Sequence, residues 1–315
     1  MESAEIFGPD QPIPQHENDV IVFLLWHLGD ALNATSLLPD LVARHGRKLT
    51  FVTTAACVPV LAHHPALARI RVVDRSFPER MTIPLWRELQ RSHESLFPHA
   101  AKVYNLHIPV VLHRMPHHII ECWGEAIGIP KPWTERKAVY YPDPTARYES
   151  RPTEFLVLGN GGSVSHKHWP EQRWQEVVDA LRRSHPGLER IQLGTAGDPL
   201  IEGTLDLRGT SIDESHHLLR NARGCLTNDS FLAHLAAASR CPTLVLFGPT
   251  CPAQFRPLAS DTAIPLGGHG YRTPCTRNLC RFRPGRAPCL AFPSTRTVIA
   301  ALERVLTETP KQRSG

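Results

Sequence analysis

The segment from Asn160 to Trp174 combines glycines, hydroxyl groups and one lysine immediately before a predicted helix. It follows the apolar run Phe155–Leu158, which has the length and composition of a buried strand. Gly162 allows close backbone approach, while Ser163, Lys167 and the first amides of the helix supply donors around one point. Such a point attracts phosphate. The segment is therefore either a phosphate-binding turn or an ordinary strand-loop-helix connection with a surface lysine.

A carboxylate follows another predicted strand, because Gly29 and Asp30 come soon after the apolar run 20–25. At a helix start, Asp30 can act as an N-cap, which stabilises a helix by about 0.5–2 kcal/mol. The alternative is a general base at the floor of a cleft, where the carboxylate takes the proton of a bound hydroxyl. The position of Asp30 in the sequence leaves both roles open.

A third polar sequence, Thr227 to Ser230, lies between a predicted strand and a predicted helix over residues 230–239. Asn228 or Asp229 can cap this helix, which leaves the next backbone amides facing an anion. Ser230 and His234 are four residues apart, so they share one face near the helix start. A lone helical histidine is usually a packing residue, but this one joins a helix start suited to phosphate.

The composition of the chain is that of a soluble globular protein with two domains. It has 315 residues, of which 42% are hydrophobic and 21% are charged. No apolar run reaches the ~18 residues of a membrane span, and the first residues are polar, so we expect a cytoplasmic protein without a signal peptide or anchor. The net charge of +5 comes from dispersed Arg and Lys residues, which favours an acidic ligand over nucleic acid.

Strands alternate with helices along the chain, which predicts parallel sheets covered on both faces. In the N-terminal half, the predicted strands are 20–25, 49–54, 70–74 and 102–106, with helical patterns near 28–46, 56–66, 83–93 and 117–127. In the C-terminal half, the predicted strands are 155–159, 190–194, 224–228 and 243–248, with helices at 170–184, 213–222, 230–239 and 294–308. The last of these is an amphipathic closing helix.

A proline-rich stretch, 130–152, interrupts this alternation and is predicted to be a linker. The predicted architecture is therefore two doubly wound α/β domains, residues 1–145 and 146–315. Two such domains bind ligands in the cleft between them, at the carboxyl ends of their strands. All three polar sequences follow predicted strands.

Four motifs occur in order along the chain: the Gly29-Asp30 turn with Pro39, Lys167-His168-Trp169-Pro170, Asn228-Asp229-Ser230 with His234, and Phe247-Gly248-Pro249-Thr250. Together they resemble a known family, glycosyltransferase family nine, the ADP-heptose heptosyltransferases. The resemblance extends from about residue 20 to residue 305, and its most specific part is Lys-His-Trp-Pro. It implies a GT-B fold, in which two Rossmann-like domains face each other across a cleft. It also implies an inverting transfer of heptose from ADP-heptose without a catalytic metal.

The resemblance also implies roles for these residues. Asp30 corresponds to the catalytic base, and Lys167 to the cation beside the donor phosphates. Phe231 departs from the pattern, because the family usually carries glycine there, and Cys251 stands where an acidic or polar residue is common. The residues implied in donor binding are Gly29, Gly162, Ser163, Lys167, Asp229, Ser230, Phe231 and His234.

The family's usual acceptor is the inner core of lipopolysaccharide, and some relatives modify protein hydroxyls. We therefore expect an anionic glycolipid or protein acceptor, no nucleic acid, and at most peripheral contact with the inner face of the bacterial membrane. The N-terminal domain carries basic residues that suit an anionic acceptor, although they could equally form a solvated surface. They are Arg80, Arg87, Arg91, Lys102 and Arg114, with His107, His113, His117 and His118.

Most of the eight cysteines are isolated, as in a reduced intracellular protein, but three of them lie close together. Cys275, Cys280 and Cys289 lie in a Gly- and Pro-containing segment with four arginines, which could stabilise thiolates. This segment either binds a structural zinc or iron, with Cys251 or His269 as fourth ligand, or carries free thiols. The resemblance adds that protein-modifying relatives hold iron in such a segment.

Two other functional classes compete with this interpretation. A nicotinamide-dependent oxidoreductase would need a third glycine where Val164 stands, and an acid at the end of its second strand, whereas Asp179 falls inside a predicted helix. The other alternative is a catalytically silent relative that acts as a binding protein. Phe231 favours that class, and the joint presence of Asp30, Lys167 and His234 opposes it.

Overall fold

The chain divides into two compact units, Met1–Pro144 and Thr145–Gly315. The structure is a computed structural model that describes residues 4–7, 19–73, 97, 99–107, 117–148, 154–164, 167–258, 261–268 and 292–308. Each unit contains one parallel sheet, so the two units are described separately.

In the described part of the first unit, five parallel strands form one sheet in the order β1-β4-β3-β2-β5. Its strands are β1 Glu5–Phe7, β2 Val20–Phe23, β3 Leu49–Thr53, β4 Leu67–Val72 and β5 Lys102–Asn105. Its helices are α1 Leu28–Ala34, α2 Leu38–His45, α3 Val58–Leu61 and α4 Ile119–Ala126.

The helix predicted over 28–46 is interrupted by a short 3₁₀ turn, Thr35–Leu37, which separates α1 from α2. Pro39 lies in the first turn of α2, where its missing N–H breaks no intrahelical bond. Gly46 ends α2 with a left-handed φ of 63°. The predicted end of the helix at Gly46 is therefore confirmed, while its continuity is not.

In the described part of the second unit, six parallel strands form a sheet in the order β11-β10-β9-β6-β7-β8. Its strands are β6 Phe155–Gly159, β7 Glu189–Gln192, β8 Leu205–Asp206, β9 Gly224–Asn228, β10 Thr243–Phe247 and β11 Ala263–Gly267. Its helices are α5 Glu171–Ser184, α6 Ile212–Asn221, α7 Phe231–Ala238, α8 Pro252–Phe255 and α9 Thr295–Glu308.

The central strands β6, β9 and β10 are buried along their whole length, as expected when helices cover both faces of a parallel sheet. The doubly wound α/β class is therefore confirmed. Three strands were not predicted from the sequence, namely β1, β8 and β11. The first two contain only three and two residues, too few to give a clear apolar pattern. All three lie at sheet edges.

Each sheet has one point where the direction of the chain connections reverses. In the first unit this point lies between β2 and β5, and in the second it lies between β6 and β9. In open α/β sheets, ligands bind outside the carboxyl ends of the strands at such a point. The topology therefore selects the turns after β2, β5, β6 and β9 as candidate sites.

Three of the buried histidines in the described residues have a lowered pKa and are therefore neutral at pH 7. Burial lowers the pKa of His64 to about 4, that of His107 to about 3 and that of His216 to about 4. Their rings form hydrogen bonds to the Ala66 amide, the Leu25 amide and the Ser239 hydroxyl, respectively. Protonation of any of these rings would place a charge inside the protein, which burial disfavours.

We predict that acid destabilises the protein well above the pKa values of its carboxylates. The unfolded chain binds protons at these histidines below about pH 6.5, whereas the folded protein does so only near pH 3–4. Stability is therefore present above pH 6.5 and is lost as the pH falls toward 4. Each histidine should cost about 2 kcal/mol at pH 5. Urea denaturation followed by circular dichroism at pH 7 and pH 5 measures this loss.

The control for this prediction is His64→Gln, which cannot be protonated. It should show a smaller drop in denaturation midpoint between pH 7 and pH 5 than the wild type, whatever its stability at pH 7. Equal midpoints at the two pH values in the wild-type protein would contradict the prediction.

Candidate anion-binding site

The carboxyl ends of β6 and β9 bring two of the predicted polar sequences together. The strands are neighbours, with Gly159 opposite Thr227. The loop 160–170 leaves β6, and the segment 228–230 leaves β9, so both start at the same edge of the sheet. This edge is the reversal point of the second sheet.

Asn228 fixes both ends of the loop after β6. Its side chain is fully buried. Its amide nitrogen donates to the carbonyl of Asn160 at 2.6 Å, and its amide oxygen accepts from the N–H of Trp169 at 3.2 Å. The two ends of the loop are thus both bonded to the same side chain. Sequence reasoning did not assign this role, because it depends on the pairing of two distant strands.

The expectation that Asn228 or Asp229 caps α7 is wrong. The N-cap is Ser230, and within the described residues its side chain makes no capping hydrogen bond. The side chain of Asn228 is instead bonded to the loop after β6. The carboxylate of Asp229 is bonded to Lys167 and Thr250. The first turn of α7 therefore has no side-chain cap, which suits an anion at this helix start.

Lys167 and Asp229 form an ion pair at this point. The ammonium of Lys167 donates to Asp229 Oδ2 at 2.8 Å, and the hydroxyl of Thr250 donates to the same oxygen at 2.6 Å. The side chain of Asp229 is 5% exposed and that of Lys167 is 26% exposed. The buried carboxylate therefore fixes the position of the lysine on its buried side. Because an ammonium has three donors, Lys167 can still bind an anion on its exposed side.

Asp229 stays ionised despite its burial. Burial acts to raise the pKa of its carboxyl, but the ion pair with Lys167 and the hydrogen bonds from Lys167 and Thr250 outweigh burial. Nearby His234 acts in the same direction, so the pKa is lowered overall. The sequence had suggested separate donor contacts for Lys167 and Asp229, whereas the structure pairs them.

Glycines bring the loop close to its neighbours. Gly162 has a φ of 153°, which suits glycine, and a Cβ built on it would lie 3.5 Å from the Cβ of Ser230. A Cβ at Gly161 would overlap the carboxylate of Asp198. Gly162, Lys167, Asp229 and Ser230 therefore meet at one edge of the sheet, and their role in donor binding stays a prediction.

Other predicted residues lie close to this group. Phe231 is the first residue of α7 and is half-buried. His234 lies one turn further along the helix and is near enough to lower the pKa of Asp229. Ser163 follows Gly162 in the loop and is exposed. The helix α5 begins at Glu171, one residue later than predicted, with Pro170 as its N-cap.

Asp198 belongs to this edge, although sequence reasoning missed it. It follows β7, lies against Gly161, and accepts a hydrogen bond from the N–H of Thr195 at 2.7 Å. An acid after the second strand was sought about 20 residues beyond the first strand, where Asp179 lies inside α5. The length of α5 places the second strand, and with it Asp198, further along the chain than this spacing.

Asp30 and Gly29 lie in the first turn of α1, after β2. The carboxylate of Asp30 accepts a hydrogen bond from the N–H of His27 at 3.4 Å, as a capping residue does. The side chain is half-buried. Asp30 is therefore not the N-cap that the sequence suggested: the N-cap of α1 is His27, and Asp30 is the third helical residue, which bonds back to it. A role as general base stays a prediction.

The expected basic surface of the first unit is wrong for two of its histidines. His107 is fully buried and neutral, and His118 is buried, accepts from the Ile120 amide and stacks on Trp133. Lys102 and His117 are exposed. The remaining members of the set, Arg80, Arg87, Arg91, His113 and Arg114, lie outside the described residues.

The cysteine segment with Cys275, Cys280 and Cys289 also lies outside the described residues. Across the described ranges, no three His, Cys, Asp or Glu side chains lie close enough together to hold a metal ion. The cysteines within those ranges are free thiols: Cys57, Cys122, Cys225, Cys241 and Cys251. Among the helices of the described chain, none is long and apolar enough to cross a membrane.

Comparison with known proteins gives a consistent result. The profile of glycosyltransferase family 9 (heptosyltransferase) matches residues 201–285. Lipopolysaccharide heptosyltransferase 1 of Pseudomonas aeruginosa is 29% identical over 205 residues, which are 59% of this chain and 54% of that protein. The chain thus spans about half the length of this curated relative.

Two solved structures are similar over most of the chain. The ADP-heptose lipopolysaccharide heptosyltransferase II of Escherichia coli has a TM-score of 0.61 at 19% identity, covering 92% of this chain and 99% of its own. The iron-containing dodecameric glycosyltransferase of enterotoxigenic Escherichia coli H10407 has a TM-score of 0.65 at 17% identity, covering 92% and 80%. These likenesses confirm the predicted GT-B fold class.

We predict that Asn228→Ala loosens the loop after β6. The buried N–H of Trp169 and the carbonyl of Asn160 both lose their partner, and an unsatisfied buried group costs about 1–3 kcal/mol. Amide hydrogen exchange at Trp169 should therefore accelerate about 10-fold or more. Mass spectrometry of the peptide 160–170 measures this change.

A matched variant for this experiment is Asn228→Asp, which keeps the acceptor for Trp169 but cannot donate to Asn160. Its exchange at Trp169 should lie between those of the wild type and Asn228→Ala. If exchange of the loop is unchanged in Asn228→Ala, Asn228 does not hold it.

Proposed function

We propose that this chain is a member of glycosyltransferase family 9 and that it transfers a heptose from ADP-heptose to a hydroxyl of the lipopolysaccharide core, with inversion at the anomeric carbon. The observation that carries this proposal is the exposed face of Lys167, held by the buried Asp229 beside the uncapped start of α7. This arrangement suits the diphosphate of a nucleotide sugar.

The donor would bind at the carboxyl edge of the second sheet. Its diphosphate would receive hydrogen bonds from Lys167, from the first amides of α7 and from the loop around Gly162. Asp198, after the second strand of this sheet, is suited to accept hydrogen bonds from ribose hydroxyls, as acids at this position do in other doubly wound sheets. Phe231 and His234, both on α7, would border the same ligand.

The reaction would proceed by direct displacement. The acceptor oxygen attacks the anomeric carbon from the face opposite the diphosphate and forms the new C–O bond. The bond to the diphosphate oxygen breaks, and ADP leaves with that electron pair. Asp30 takes the proton of the acceptor hydroxyl. Lys167 and the helix amides stabilise the negative charge that develops on the leaving group.

The acceptor and the location of the enzyme belong to the same proposal. The names of the relatives support a lipopolysaccharide acceptor, which is anionic. A protein acceptor is the second candidate, because the family that the sequence resembles includes members that modify protein hydroxyls. Work on a core glycolipid would occur in the cytoplasm, at the inner face of the bacterial membrane. A structural zinc or iron at Cys275, Cys280 and Cys289 is a separate proposal, supported by the iron-containing relative.

We predict that ADP-heptose and ADP raise the melting temperature of the protein, whereas UDP- and GDP-sugars do not, since a ligand that binds only the folded state stabilises it. Lys167→Met should weaken ADP binding about 10-fold or more, because the variant loses a cation and leaves Asp229 charged beside the diphosphate. Isothermal titration calorimetry with ADP measures this affinity.

The control is Lys167→Met combined with Asp229→Asn, which removes both charges and the buried unpaired carboxylate. The double variant should recover thermal stability relative to Lys167→Met but not the full affinity for ADP. Wild-type affinity in Lys167→Met would exclude the lysine from the anion site. A preference for UDP-sugars would exclude the ADP-linked donor.

We predict that Asp30→Asn lowers the turnover of heptose transfer ~10²-fold or more while ADP affinity stays within twofold. The amide keeps the shape of the side chain and an oxygen that can accept the His27 N–H, but it cannot take the acceptor's proton. Steady-state transfer to lipopolysaccharide that lacks core heptose measures the effect. Near-normal turnover would reduce Asp30 to a helix cap.

A further inference from the structure

A buried histidine lies just beyond the end of strand β5, and the proposed reaction does not use it. His107 is fully buried, and its Nε2 accepts a hydrogen bond from the backbone N–H of Leu25 at 2.8 Å. Leu25 lies 82 residues away in sequence, just after β2. The contact therefore joins the two strand ends that flank the reversal point of the first sheet.

The orientation of the ring is set from its other side. The side-chain oxygen of Asn105 lies 2.7 Å from His107 Nδ1 and accepts the backbone N–H of His107 at 2.9 Å. An oxygen acceptor at Nδ1 and an N–H donor at Nε2 are compatible with one neutral tautomer, which carries its proton on Nδ1. The lone pair of Nε2 is thereby directed at Leu25.

The turn between β2 and α1 depends on this contact. Regular strand pairing ends at Leu24, whose N–H donates to the carbonyl of Val52. The next three residues are held by side chains: Leu25 by His107, the carbonyl of Trp26 by the thiol of Cys57, and the N–H of His27 by Asp30. The shortest of these three contacts is the one from His107.

The ring of His107 also packs against this turn. Its centroid lies 5.8 Å from the ring of Trp26, nearly perpendicular to it, and 4.8 Å from that of Phe23. An apolar side chain could fill the same space, but it would leave the buried N–H of Leu25 without this acceptor. Such a loss costs about 1–3 kcal/mol and favours a shift of the turn.

We propose that His107 is a positioning residue that fixes the β2–α1 turn and, through it, the carboxylate of Asp30 at the start of α1. The part that concerns catalysis rests on the proposed role of Asp30 as the base. A displacement of about 1 Å at a reacting group can lower a rate by ~10²-fold, so a small shift of this turn is sufficient to impair proton transfer.

The test compares His107→Gln with His107→Met, two side chains of similar length that differ in their acceptor. Gln can present an oxygen to the N–H of Leu25, whereas the Met sulfur is only a weak acceptor. We expect amide exchange in residues 25–31 to accelerate in His107→Met and to return toward the wild-type rate in His107→Gln. Exchange in the peptide 160–170 of the second unit should not change. His107→Phe serves as a second variant if His107→Met does not fold.

Activity provides the second measurement. His107→Met should lower kcat for heptose transfer about 10-fold, with ADP affinity within twofold of wild type, and His107→Gln should recover most of kcat. In an Asp30→Asn background, His107→Met should cause little further loss, because no base remains to be positioned. If His107 had only a general structural role, its substitution would reduce ADP affinity as well. The losses of kcat from His107→Met and from Asp30→Asn would then multiply in the double variant.

The outcomes separate this inference from the proposed function. If amide exchange in residues 25–31 is unchanged in His107→Met and His107→Phe, the positioning role is wrong, whatever the activity of these variants. If the kcat losses of the two substitutions multiply in the double variant, His107 does not act through Asp30. If the exchange result is as expected but the wild-type protein transfers no heptose, the proposed function is wrong and the structural part of the inference holds.

Discussion

The buried carboxylate of Asp229 is the interaction on which the candidate site depends. Its oxygen Oδ2 receives both the ammonium of Lys167 and the hydroxyl of Thr250. These three residues follow three adjacent strands, β6, β9 and β10, so one oxygen joins the ends of half the second sheet. A buried carboxylate without these partners would be strongly unfavourable, which makes the arrangement of the three loops a condition for folding as well as for binding.

The same pairing reconciles two demands on Lys167. A cation that binds a diphosphate should have a fixed position, yet it must keep donors for the ligand. A long lysine side chain at the surface loses much conformational freedom when it binds. Asp229 removes part of that cost beforehand, since the ammonium is already held from its buried side. In the proposed reaction, charge compensation by Asp229 would also limit the affinity for the anion and so favour release of ADP after transfer.

Much of the fold could be predicted from the sequence, and the exceptions have physical reasons. Strands β6, β9 and β10 are fully buried, so their apolar runs were recognisable. The edge strands β1 and β8 were not, because a strand of two or three residues has no period. That Gly162, Lys167, Asp229 and Ser230 belong to one donor site is what the family resemblance implies, and the positions of these residues after two strands are consistent with it. The ion pair and the roles of Asn228, Asp198 and His107 were not predictable, since they depend on which strands are neighbours.

The two units use one structural solution at their reversal points. In the second unit, Asn228 at the end of β9 reaches across to the loop after β6 and holds the backbone of Asn160 and Trp169. In the first unit, His107 just beyond β5 reaches across to the turn after β2 and holds Leu25. Both side chains are fully buried. In each unit, the chain must turn away from the sheet after β2 or β6 to form a site, and its backbone there loses the hydrogen bonds of strand pairing. A buried polar side chain at the end of the neighbouring strand replaces those bonds.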